Sequence, residues 1–231
     1  MDSKVGSEAW RGKSSSFSLV DAKRSHLYSA SREVRAMTGL FHKHPDPECL
    51  AFLERAFGGG LARSLFDGLR EKFARPDGEI EPEYSVSFRA GGTGWGHKTS
   101  DVCDHTYWDL PFGIQLILGR YVLAGIGFEP MSDILRVRQI QGVPGQASFL
   151  RPLRWQLALV TLLGELAVSH SLYVELQIIR AEDQPFYEDG GGAEEEKLRE
   201  RMQSHYDGTA RGLGFRWCDS RGAYYKLLRS G

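Results

Sequence analysis

Apolar residues recur at three and four along the segment that opens at Asp46. Leu50, Leu53 and Phe57 share one face of a predicted helix, with Asp46 as N-cap, Pro47 at the first helical position and Gly58-Gly59-Gly60 as the stop. A second helix is predicted from Leu61 to Phe73, with Leu65, Phe66, Leu69 and Phe73 on a common face, and Pro76-Asp77-Gly78 forms a turn. The pattern then changes period. Tyr84 to Phe88 alternates as a half-buried strand does. Phe112–Leu118 and Tyr121–Phe128 are two apolar stretches, read either as a hairpin turning at Gly119-Arg120 or as one bent strand. Ile134–Ile140 is the next strand.

Leu153, Leu157, Val160, Leu163, Leu166 and Ala167 predict a core-facing helix from Pro152 to His170. Tyr173–Ile179 follows as a strand with Val174, Leu176 and Ile178 on one face. An acidic, glycine-interrupted stretch leads into a helix running to about Arg211, with the stop at Gly212 or Gly214. Phe215–Trp217 and Ala223–Leu228 read as a terminal hairpin. Residues 1–20 are polar and serine-rich, which predicts a flexible tail, and residues 21–231 are read as a single domain, with a weakly patterned strand at Ser25–Ala30.

Composition narrows the class. The chain has 231 residues, of which 41% are hydrophobic and 26% charged, so it can bury a core of ordinary size. The net charge of −1 gives no global basic field, so nucleic acid is not an expected partner. Cys49, Cys103 and Cys218 are odd in number and widely spaced, which argues against a disulfide framework. No apolar run has the length of a membrane span and the first residues lack a signal-peptide core. The expectation is a cytoplasmic protein without a membrane partner. Asp101, Cys103, Asp104 and His105, with His97 nearby, match no zinc spacing, so they are read as a polar loop and no metal site is expected. His42 and His44 are read as surface residues flanking a turn.

The chemistry-bearing stretch is Gly142-Val143-Pro144-Gly145-Gln146-Ala147, set between a strand and a helix. A short glycine pattern alone is a connecting turn; its place before a helix makes it a candidate anion cradle. With Gly214-Phe215 further on, the element order across residues 46–228 resembles the GNAT superfamily of N-acetyltransferases. The resemblance implies an α/β fold: a mixed, mostly antiparallel sheet with flanking helices and a splayed central strand pair. It implies acetyl-CoA, or another acyl-CoA, as cofactor. Ile134–Ile140 would be the splayed strand, and Ile140, Gln141, Gly142, Val143, Gly145, Gln146, Ala147 and Ser148 would bind the pantetheine and pyrophosphate. Gly145-Gln146-Ala147 matches the final Gly-x-Ala of the family signature, whereas Gly142 stands where the pattern has Arg or Gln. Arg151 and Arg154 are placed to meet phosphates.

In that family a Tyr four residues before Gly-Phe protonates the departing thiolate. Ala210 holds the position here, and Tyr206, one turn earlier, is the candidate general acid. Glu129, at the end of a strand beside the implied cleft, is the candidate base. The implied function is transfer of an acetyl or acyl group to a small-molecule or peptide amine by direct attack. The alternative is a catalytically degenerate member that binds CoA or another ligand, which Gly142 and Ala210 favour.

Overall fold

A computed structural model describes residues 46–76, 83–91, 94–96, 103–184, 187 and 193–228. All described residues belong to one compact unit. The expected tail, the strand at Ser25–Ala30, and His42, His44, His97 and Asp101 lie outside the described residues.

Among the described residues two helices come first, α1 (Pro47–Gly58) and α2 (Leu61–Lys72). The Asp46 carboxylate accepts from the Cys49 amide at 2.8 Å, as the predicted N-cap requires. Cys49, Phe52, Leu53 and Ala56 of α1 and Ala62, Phe66 and Leu69 of α2 are buried. Strand β1 (Tyr84–Ala90) is followed by a short two-stranded ladder, β2 (Gly94–Trp95) with β3 (Tyr107–Trp108). Strands β4 (Phe112–Leu118) and β5 (Tyr121–Met131) form the hairpin of the two alternatives, closed at Gly119, where φ is +59°. Strand β6 (Ile134–Gly142) completes the meander.

A single turn, α3 (Ala147–Leu150), and a long helix, α4 (Trp155–His170), cross over to β7 (Glu175–Ile178). The expected start of α4 at Pro152 is corrected to Trp155. The preceding residues pair with the end of α2 instead: the Arg75 amide donates to the Pro152 carbonyl at 2.8 Å and the Arg154 amide to the Phe73 carbonyl at 3.0 Å. Helix α4 is apolar on most sides, since it lies between α2 and the sheet. In β7, Leu176 and Ile178 are buried, but Val174 precedes the strand and is 49% exposed. After β7 come α5 (Ala193–Gln203), a π-turn (Ser204–Gly208), α6 (Thr209–Gly212), β8 (Arg216–Cys218) and β9 (Ala223–Leu227).

The result is an α/β fold with a mostly antiparallel seven-stranded sheet, ordered β1-β4-β5-β6-β7-β9-β8, and helices packed against it. Only β6 and β7 run parallel, as the helical crossover between them demands. On one face a chain of polar contacts crosses that junction: Arg136 Nε donates to Gln177 Oε1 at 2.8 Å, Gln177 Nε2 to Glu175 Oε1 at 2.5 Å, and Arg221 Nε to the same oxygen at 3.1 Å.

Residues 103–111 form a strap across β4 and β5, and its anchor is Trp108. The indole lies over Gly113 and Gly125, where an added Cβ would sit 2.4 and 2.5 Å from the ring. Its Nε1 donates to Asp104 Oδ2 at 2.9 Å, and that carboxylate also receives the Thr106 amide and Gln115 Nε2. Asp104 is thus a structural hub of the expected polar loop. Among the described residues no group of three or more His, Cys, Asp or Glu side chains could hold a metal ion. No described helix is long and apolar enough to cross a membrane.

Candidate active site

The parallel pairing of β6 with β7 is short. It runs from Ile134 opposite Glu175 to Val137 opposite Ile178, with one more bond from the Ile179 amide to the Val137 carbonyl at 3.2 Å. Strand β6 continues to Gly142, still paired with β5 on its other side. The β5–β6 register is irregular at the same place. Gly127 faces Gln139 while Phe128 faces Val137, so Arg138 is an extra residue and forms a bulge. A bulge bends its strand and increases the local twist, and it falls just past the last β6–β7 pair. Beyond it, β6 runs on past the end of β7, paired with β5 alone.

The bent segment is held from behind by the strap. Gln139 Nε2 donates to the Tyr107 carbonyl at 2.5 Å and Gln141 Nε2 to the same carbonyl at 2.7 Å, while Gln139 Oε1 accepts from the Asp109 amide at 3.1 Å. The Gln141 side chain therefore faces the strap. On the opposite side, a Cβ at Gly142 would stand 3.0 Å from Leu150 Cδ1 and 3.7 Å from Trp155. Packing of α3 and α4 thus explains glycine at this position, the one where the family signature has Arg or Gln.

Past the end of β7, side chains meet the backbone of β6. The Ile140 amide donates to Tyr206 Oη at 3.0 Å. Gln184 Nε2 donates to the Arg138 carbonyl at 2.9 Å, and Tyr206 Oη lies 3.5 Å from the same carbonyl. The His205 ring bonds to the Ile140 carbonyl and packs edge-on against Trp155 with centroids 5.6 Å apart. His205 and Tyr206 both sit in the π-turn. A residue inserted into a helix turns the segment before it by about 100° relative to the segment after it, and this gives Tyr206 its reach to β6. Ala210, at the expected tyrosine position, is buried in the core.

Burial raises the Tyr206 phenol above its ordinary range, with the Ile140 amide opposing the shift and Asp109 adding to it. Burial lowers the His205 imidazole, and Arg201 adds to that, against the bond to the Ile140 backbone. Glu129 is placed one strand away. Its carboxylate is ion-paired with Arg138 at 3.3 Å, and both side chains are partly exposed.

The loop after β6 divides its amides. Val143 donates to the Leu123 carbonyl at 2.8 Å and Gln146 to the Val143 carbonyl at 3.2 Å. Ala147 and Ser148 open α3, where first-turn amides have no intrahelical acceptor. Gly145 turns the chain at φ +83° with open space around its Cα. Because α3 is one turn long, any anion here would be met by individual amides more than by a helix dipole.

Ile140, Tyr206 and the loop are thus brought to the C-terminal half of β6, while Glu129 lies on β5. Sequence reasoning missed Gln184, His205 and the Arg138 bulge. None of them carries a local pattern, since each depends on how β6 is paired. No protein-family model, curated protein or solved structure matches the chain.

Proposed function

We propose that the protein is an acyl-CoA-dependent N-acyltransferase of the GNAT type. The observation that carries this reading is a bulged β6 that runs on past its short parallel ladder with β7, with the Ile140 amide and the Tyr206 hydroxyl meeting there; the reading takes this place as the fork of a splayed strand pair. The strand order, with one parallel pair at the fork, supports the same architecture. So do the two leading helices before β1.

A bound acyl-CoA would supply an activated thioester. The β6 backbone would receive the pantetheine arm, and a backbone donor beside it would polarise the thioester carbonyl. Tyr206 Oη would hold its proton toward the leaving sulfur. A thiol has an ordinary pKa of about 8.5, well below a phenol raised above about 10, so Tyr206 stabilises the thiolate by hydrogen bonding without handing over the proton at equilibrium. The amide bond forms as the amine displaces the thiolate, and the amine proton leaves on the acceptor side, where Glu129 is the candidate base. Ala147 and Ser148, with Gly145 giving close backbone approach, would meet the pyrophosphate.

A second reading has its own support. The backbone groups of Arg138 and Ile140 are already capped by Gln184, Tyr206 and His205, which suits a degenerate member whose fork is filled from within.

Isothermal titration with acetyl-CoA and with CoA tests the proposal. Saturable binding is expected, and Gly145→Glu should abolish it; its Cβ meets nothing within 4 Å, but the φ of +83° costs a side chain about 1–2 kcal/mol, so circular dichroism must show the variant folded. Absence of binding at high ligand concentration would remove the acyltransferase reading. Unchanged affinity in Gly145→Glu would remove the loop from it.

A further inference from the structure

Past Val137, the inner edge of β6 offers an ordered series: the Arg138 carbonyl, then the Ile140 amide, then the Ile140 carbonyl. Each is matched by a side chain of the right polarity. Gln184 Nε2 is a donor to the first at 2.9 Å, Tyr206 Oη an acceptor for the second at 3.0 Å, and the His205 ring a donor to the third. Donor, acceptor, donor is the series that an adjacent strand or an extended secondary amide presents. Three side chains from two segments therefore stand where β7 would have continued. Buried backbone groups demand partners, and at a diverging edge they are met either from within the chain or by a ligand.

The geometry points to Gln184 and Tyr206 as placeholders that occupy the fork in the ligand-free protein and set its affinity, so that a CoA thioester is admitted only when its pantetheine amides replace both contacts. This inference rests on the acyl-CoA reading above. It assigns Gln184 a role in ligand selection. A ligand without an amide donor and acceptor at this spacing would strip two hydrogen bonds and restore neither, and a buried polar group left unpaired opposes binding.

The test is a set of titrations on the wild type, Gln184→Leu, Tyr206→Phe and the double variant. The probes are CoA and adenosine 3′,5′-bisphosphate, which carries the nucleotide end without pantetheine. Each single variant frees one backbone group for the ligand, so CoA should bind roughly tenfold tighter, a change equal to about 1.4 kcal/mol, and the double variant tighter still. Adenosine 3′,5′-bisphosphate should bind all four proteins alike. Wild-type binding of CoA with no tightening in Gln184→Leu or Tyr206→Phe would overturn the placeholder role and leave the acyl-CoA reading standing. Equal tightening of both probes would also overturn it, because the effect would then not lie in the fork. Failure of all four folded proteins to bind CoA would remove both. Gln184 is only partly buried, so its variant keeps the test decisive if Tyr206→Phe proves unstable.

Discussion

Replacing Gly125 by alanine puts a methyl group where the Trp108 ring lies. The new Cβ would stand 2.5 Å from Cη2 and 3.2 Å from Cζ2 of the indole, and 3.0 Å from the Ile114 carbonyl oxygen. Carbon atoms settle at roughly 3.5–4.0 Å, so the ring must lift by about 1 Å or more. Trp108 is fully buried and pinned at its other end by Asp104, so it cannot tilt without breaking that bond. Overpacking typically costs about 1–3 kcal/mol, and a hydrogen bond to a charged group is worth about 1.5–3 kcal/mol. A loss of about 3–5 kcal/mol is therefore expected, read from urea unfolding by linear extrapolation. Gly68→Ala is the contrast: this glycine lies inside α2 with nothing within 4 Å of its Cβ position, and the substitution should gain about 1 kcal/mol from helix propensity. In a Trp108→Leu background the cost of Gly125→Ala should fall below about 1 kcal/mol, since the colliding ring is gone. An equal cost in both backgrounds would refute the reasoning.

The titratable groups yield two more expectations. His205 is held below its ordinary value, so on acidification the unfolded chain, near pKa 6.5, takes up a proton first. Stability should then fall as the pH drops below about 7 and level off only below the folded-state pKa. His205→Gln should flatten that slope, and an unchanged slope in urea midpoints would show that another group sets it. Ser220 and Arg221 bring the Cys218 thiol down to about 7, whereas burial pushes Cys49 up to about 12. Iodoacetamide at neutral pH should therefore label Cys218 first by mass spectrometry, and Ser220→Ala should slow it; equal rates at Cys218 and Cys49 would contradict this.

The parts legible in the sequence are those fixed by local chemistry. Asp46 and Pro47 announce α1, and the alternation from Tyr84 announces β1. The apolar repeat after Leu153 announces α4, but it hides the true start, because Pro152–Arg154 is claimed by a pairing with Phe73–Arg75. Val174 is exposed for a related reason: the alternation in sequence reaches back past the point where β7 begins. The point where β6 outruns β7 has no local signal in the sequence. The Arg138 bulge beside it is a property of the β5–β6 register. Tyr206 can be named from its distance to Gly214-Phe215, but its reach depends on the π-turn. The glycines of β4 and β5 give no hint that a tryptophan from another segment requires them.

The short β6–β7 ladder makes one seven-stranded sheet behave as two cooperative blocks. The meander β1, β4, β5, β6 is stitched by long antiparallel pairings between near neighbours in sequence. Strands β7, β9 and β8 form a smaller group, joined to the first by four residue pairs and the polar chain through Arg136, Gln177 and Glu175. Contacts between distant segments close late in folding, and partial opening follows the boundaries of such groups. A molecule bound where that ladder ends would hold the two groups together, and amide exchange in β7, β8 and β9 would report its presence more sharply than exchange in the meander.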